Sequence, residues 1–152
     1  MPTELTVRPA RPDEAEALRT LTVESKACWG YAPEVLREWG ETLDIAAALR
    51  EEGEAIVAEA GGRIEGWAQV RSPREGVCTL EHLWVAPGSM RAGIGTALFG
   101  HAAAAARAMG ATAMAWEAEP NAAGFYAKMG GRTVTTVTSD WGRTIDVMAV
   151  EV

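Results

Sequence analysis

The densest chemical signal lies in Leu83-Trp84-Val85-Ala86-Pro87-Gly88-Ser89-Met90-Arg91-Ala92-Gly93-Ile94-Gly95-Thr96-Ala97-Leu98. A strand-like run enters a glycine turn that opens directly into a helix. Gly93 and Gly95 let backbone approach a ligand closely. The helix start offers unpaired N–H groups and the positive end of a dipole. That arrangement binds anions, and a diphosphate suits it. Other phosphate loops differ in spacing. A dinucleotide fingerprint needs another glycine at or near Leu98 and an acidic residue about twenty positions later, beyond a second strand. An NTPase loop needs Gly-Lys-Ser/Thr, which is absent. A bare Gly-x-Gly is equally a tight strand-to-helix connection.

Glu81 and His82 precede this turn. Strand alternation puts Glu81 on the face of Leu83 and Val85, and His82 on the opposite face. A carboxylate there can take a proton from an ammonium, directly or through water. It is also readable as a solvated residue or half of an ion pair. His82 titrates near neutrality when free, but a packed, hydrogen-bonded histidine is the commoner case. His101 falls inside a helix and reads as structural. Neither histidine has Ser/His/Asp or metal-ligand spacing, so no metal is expected. Cys28 and Cys78 form no CxxC pair. They read as two free thiols in a reducing, cytoplasmic compartment.

The elements that must position these residues follow from periodicity. Leu5 and Val7 alternate as in a short strand. Asp13, with Glu16 three residues on, signals a helix start behind Pro12; Leu18, Leu21 and Ser25 continue one face to about Lys26. The loop Ala27–Ala32 carries Trp29 and Tyr31. Pro33 opens a second helix with Val35, Leu36 and Trp39, and a short third one holds Ile45 and Leu49. Strands are predicted at Ala55–Ala60 and Arg63–Arg71 around a Gly61-Gly62 hairpin, then at Val77–Val85. A long Ala-rich helix runs to about Met109. Strand Ala111–Ala118, helix Asn121–Met129 and strands Arg132–Thr138 and Thr144–Glu151 close the chain. The order β-α-α-β-β-β-α-β-α-β-β indicates an α/β mixed sheet flanked by helices, in one domain over residues 1–152. The 152 residues, 48% apolar, suffice for one core. A net charge of −7 disfavours nucleic acid and anionic membranes. The longest run without charges, Ala92–Ala106, is too short for a membrane span, and the N-terminus has no leader pattern.

From Leu80 to Gly130 the chain resembles the GNAT superfamily of acyl-CoA-dependent N-acyltransferases. The signature there is a strand ending Leu-x-Val-x-Pro, then Arg/Gln-x-x-Gly-x-Gly/Ala opening a helix. Leu83-Trp84-Val85-Ala86-Pro87 matches the first part and Met90-Arg91-Ala92-Gly93-Ile94-Gly95 the second. Met90 stands where Arg or Gln is usual, and Arg91 where glycine is. The later element, Ala-x-x-x-Tyr followed by Gly-Phe, is met by Ala122-Ala123-Gly124-Phe125-Tyr126 and then Gly130-Gly131. Glu119 replaces an asparagine often found seven residues before the tyrosine, and Gly131 replaces the phenylalanine. The segment Glu24–Tyr31 is similar to one subset of small bacterial-type members.

The resemblance implies a GNAT fold and transfer of an acetyl group from acetyl-CoA to a primary amine, by direct attack. It implies that Val77–Val85 splays from the next strand, so that pantetheine meets free backbone near Leu83, Trp84 and Val85. The pyrophosphate would rest on Met90, Arg91, Ala92, Gly93, Ile94, Gly95 and Thr96. Tyr126 would protonate the departing thiolate, and Glu81 is placed where many members carry a base. Asn121 would either cap its helix, the reading preferred here, or touch pantetheine. The Trp29–Tyr31 loop would line the acceptor pocket; two aromatics plugged into the core is the competing reading. With Glu81, those aromatics suit a small cationic amine. A homodimer is left open. Two rivals remain: a non-catalytic acyl-CoA-binding or regulatory module on this fold, and a nucleotide-phosphate-binding domain of another fold.

Overall fold

A computed structural model describes residues 4–90, 92–139 and 142–152. Seven strands form a sheet in the order β1-β2-β3-β4-β5-β7-β6. The strands are β1 (Leu5–Pro9), β2 (Gly53–Ala60), β3 (Arg63–Arg71), β4 (Val77–Val85), β5 (Ala113–Glu117), β6 (Arg132–Thr138) and β7 (Thr144–Glu151). Helices α1 (Ala15–Ala27), α2 (Pro33–Thr42) and α3 (Ile45–Leu49) lie between β1 and β2. Helix α4 (Ile94–Ala108) joins β4 to β5, and α5 (Ala123–Lys128) joins β5 to β6. Every expected element is present, with ends shifted by a few residues. One start signal differs. Pro12–Glu14 form a 3-10 turn ahead of α1, and Glu14 rather than Glu16 bonds back, its Oε1 accepting from Arg11 N at 2.7 Å.

The sheet has a core on each face. On one, Ala68 and Val70 of β3 and Leu80 and Val85 of β4 pack under Ile94, Leu98, Phe99 and Ala102 of α4, joined by Tyr126 of α5. On the other, Val57 and Trp67 pack against Leu18 and Leu21 of α1 and Ile45 of α3. Trp67 is fully buried, and its indole N–H donates to Thr22 Oγ1 at 2.8 Å. A buried indole without that acceptor would cost about 1–3 kcal/mol, so Thr22 on the inner face of α1 is set by Trp67.

All pairs are antiparallel except β4–β5, which are parallel. That pairing covers only Val77–Thr79 against Ala113–Ala115. Beyond Thr79 the two strands part, leaving the β4 edge from Leu80 to Val85 without a strand partner on that side. The β3–β4 register also shifts: Gln69 faces His82, but Val70 faces Leu80. Glu81 is the extra residue, a bulge. Before it, Cys78 and Leu80 face α4; after it, Leu83 and Val85 do. His82 instead stacks on Trp67 on the α1 face, with ring centroids 4.7 Å apart. Glu81 therefore shares the face of His82, not that of Leu83 and Val85. Strict alternation fails because a bulge adds one residue to one strand only.

Candidate active site

The parting strands open a cleft of about 670 Å³. Its walls come from β4, β5 and the starts of α4 and α5 on one side of the sheet, and from α1 and α2 on the other. Glu81, Leu83, Trp84, Val85, Met90, Gly93, Gly95, Thr96, Asn121, Tyr126 and Trp29 all line it. Sequence reasoning thus named residues that the fold brings together from four separate segments: the end of α1, β4, the glycine turn and α5 with its approach.

At the glycine turn, Gly93 is the residue before α4 and has φ +78, a left-handed conformation that L side chains rarely adopt. A Cβ on Gly95 would lie 3.3 Å from the Phe125 ring, so glycine lets α4 and α5 approach. The bulged β3 residue Glu65 holds the turn from below. Its carboxylate accepts from Ser89 Oγ at 2.6 Å, and its carbonyl accepts from Ala86 N at 2.8 Å. Ile94 turns its side chain into the core, and Ala92 is exposed outside the cleft, so only their backbone remains for a phosphate. Met90 packs its sulfur 3.7 Å from Cys28 Sγ. The role expected of Arg91 lies outside the described residues.

Tyr126 is 7% exposed, and its ring packs on Trp116 with centroids 4.9 Å apart. Burial first, then the negative charge of Glu119, pushes its pKa well above the ordinary tyrosine value. It stays protonated throughout the working range, as a proton donor must. Gly131 replaces the family's phenylalanine because a Cβ there would lie 2.8 Å from Trp116 Cζ2. The indole occupies that space.

Glu81 Oε2 lies 3.4 Å from Arg71 Nε, and Arg71 Nη2 reaches Glu51 at 2.6 Å. Both readings of Glu81 meet here, since the ion-paired carboxylate also borders the cleft. His82 is a different group from the base one might assign. Its Nδ1 accepts the indole N–H of Trp84 at 3.0 Å. Burial, and then the Arg71 charge, lower its pKa to about 4.

Trp29 is 39% exposed and lines the cleft, which removes the core-plug reading for it. Tyr31 is placed otherwise than expected. It borders a smaller neighbouring cavity of about 160 Å³ rather than the cleft. Its hydroxyl donates to Glu119 Oε1 at 2.6 Å and accepts from Arg143 Nη1 at 3.0 Å. Its face carries the Lys26 ammonium, 5.1 Å from the ring centroid, so it is not presented to an incoming amine. Asn121 is not a cap either. Ala122 precedes α5 without a side-chain bond, and Asn121 Nδ2 donates to Glu119 Oε1 at 2.8 Å.

The unforeseen centre is the pair Lys26–Glu119, 3.2 Å apart and largely buried. Lys26 Nζ also lies 4.7 Å from the Trp39 ring centroid and 5.7 Å from that of Trp84. Glu119 was visible only as a departure from asparagine, and nothing in the sequence pairs it with a lysine 93 positions earlier. Among the described residues, no group of His, Cys, Asp or Glu is arranged to hold a metal ion. No helix there is long and apolar enough to cross a membrane.

The acetyltransferase (GNAT) family model matches residues 16–131, and the chain belongs to that family. It is an acetyl-CoA-dependent acetyltransferase by that membership. Solved structures show the same fold across the whole chain. A GCN5-related N-acetyltransferase from Rhodopseudomonas palustris is 24% identical with TM-score 0.83, over 100% of this chain and 98% of that one. PaiA N-acetyltransferase from Thermoplasma acidophilum, solved with coenzyme A, is 17% identical with TM-score 0.82, over 98% and 99%. The ribosomal-protein-S18-alanine N-acetyltransferase from Escherichia coli is 17% identical with TM-score 0.72, over 97% and 94%. None of the curated protein sequences compared with the chain matches it.

The residues fit acetyl-CoA. The glycine turn presents an N-terminal cradle; among the described residues, chain neighbours aside, no atom lies within 4 Å of a Cβ added at Gly93, and the β4 edge beside it has no strand partner.

Proposed function

We propose that this chain, as one domain over residues 1–152, acetylates the primary amine of a small molecule by direct attack, in the cytoplasm. The observation that carries the reading is the parting of β4 and β5. It lines one cleft with the glycine turn, Tyr126 and Glu81. When bound, acetyl-CoA supplies the acyl group as a thioester. The amides of Gly93 to Thr96 hold the pyrophosphate, and the open edge at Leu83–Val85 pairs with the pantetheine arm. A backbone N–H of that edge polarises the acetyl carbonyl. Glu81 takes the proton from the amine, and the Tyr126 hydroxyl gives one to the departing sulfur. Trp29 offers an aromatic wall from the α1 side, and the net charge of −7 favours a cationic amine. Two free cysteines, Cys28 exposed and Cys78 buried, support the reducing setting.

Thiol release from acetyl-CoA, followed across amines, amino acids, peptides and aminoglycosides, tests the reading. A small amine giving saturable, stoichiometric CoA release is the expected result. Tight acetyl-CoA binding with no release from any acceptor would instead establish the non-catalytic binding module.

A further inference from the structure

His82 is neither free nor inert. The Trp84 indole can only donate, so His82 Nδ1, which accepts from it at 3.0 Å, carries no proton. In the neutral ring the proton is then on Nε2, and the imidazole is a donor at that atom. The ring is held flat on Trp67, with planes 23° apart. Nε2 has no hydrogen-bond partner among the described residues and is not among the buried polar atoms, while the ring borders the cleft. Around it, Arg71 of β3 adds a positive charge, and Lys26 of α1 lines the same cleft. Burial first, and then the Arg71 charge, disfavour an imidazolium. The Glu81 bulge then has a chemical consequence. It puts an accepting carboxylate and an imidazole whose unbonded nitrogen donates on the same α1 face, where alternation would have separated them.

We propose that His82 binds the acceptor as a neutral hydrogen-bond donor through Nε2–H. Together with Glu81, it selects amines that carry an oxygen on the second carbon from the reacting nitrogen, as amino-acid amides and amino alcohols do. This rests on the amine-acetylation reading above. It makes His82 a binding residue and removes it as the base.

Two probe pairs test it: leucinamide against isopentylamine, and 2-aminoethanol against ethylamine. In the wild type, the oxygen-bearing member of each pair should have the higher kcat/KM, by about 10-fold or more. His82→Phe should abolish that preference. His82→Gln, whose amide N–H can stand in for Nε2–H, should restore most of it, with acetyl-CoA affinity by calorimetry unchanged in both. A preference that survives His82→Phe would overturn the inference. So would the loss of the acidic limb of the pH–rate profile in His82→Gln, since that limb marks the titration of a base. Histidine ¹⁵N spectra give a readout independent of turnover. Nε2–H should be the tautomer from pH 6 to 8, and its signal should move when leucinamide is added. An imidazolium or Nδ1–H form at pH 7, or no movement with either oxygen-bearing probe, would sink the assignment. Movement with leucinamide but no CoA release would defeat the transfer reading and leave the binding site standing.

Discussion

Glu119 accepts from Tyr31, Asn121 and Lys26 at once, which ties the α1 end, the following loop and the approach to α5 together at the cleft wall. Its carboxyl is held below the usual carboxylate range despite burial, by the Tyr31 hydrogen bond and the Lys26 charge. Such a depressed group stabilises the fold above its unfolded value of about 4.5, and that stability is lost as pH falls below it. His82 acts in a different window. Its folded pKa of about 4 lies below the unfolded 6.5, so on acidification the unfolded chain takes up the proton first. Stability therefore falls as pH drops from 6.5 towards 4, by roughly 1 kcal/mol per unit. Urea unfolding at pH 7, 6, 5.5 and 5 should show that slope in the wild type and a flat profile in His82→Gln. An unchanged slope in the variant would assign it elsewhere. These couplings were not legible from sequence. The Lys26–Glu119 and Trp84–His82 contacts depend on where elements dock, and residue identity alone gives no distance.

At the scale of elements, the sequence is readable wherever one periodicity runs unbroken. α4, β4 and the Gly61-Gly62 hairpin were placed by pattern and turn chemistry, and the structure has them there. Strict strand alternation fails at two glutamates. Glu65 in β3 and Glu81 in β4 are each the extra residue at a register shift, so Ile64 leaves the face of Ala68 and Val70 just as Glu81 leaves that of Leu83. A bulge costs one unpaired residue and leaves no composition signal. The glycine turn was legible because its constraint is local. At φ +78, Gly93→Val puts a β-branched residue in left-handed backbone, at a cost of at least about 1–2 kcal/mol. Among the described residues, chain neighbours aside, no atom lies within 4 Å of the new Cβ, so the fold should persist while the cradle changes shape. Calorimetry on the folded variant should find acetyl-CoA binding lost; wild-type affinity would mean that the pyrophosphate sits elsewhere. Gly95→Val is a poorer test, because its side chain would push on Phe125 beside Tyr126.

The whole molecule is a sheet opened at one seam, with one face of the opening given to α4 and α5 and the other to α1 and α2. In the proposed reading this layout separates the two reactants: the glycine turn would serve the anionic carrier, and the Trp29, Glu81 and His82 side the amine. The resemblance over Leu80–Gly130 made the first half legible, since its motif lies in one continuous segment. The acceptor half is assembled from α1, α2 and β4, whose meeting is a property of the folded chain. The central claim is that the seam is where the acetyl group changes hands, with Tyr126 supplying the final proton. Tyr126→Phe removes only the hydroxyl and keeps the ring against Trp116 and Phe125. Single-turnover and steady-state rates should fall by about 10²-fold or somewhat more, with acetyl-CoA affinity nearly unchanged. Wild-type turnover by this variant at saturating substrates would contradict the account.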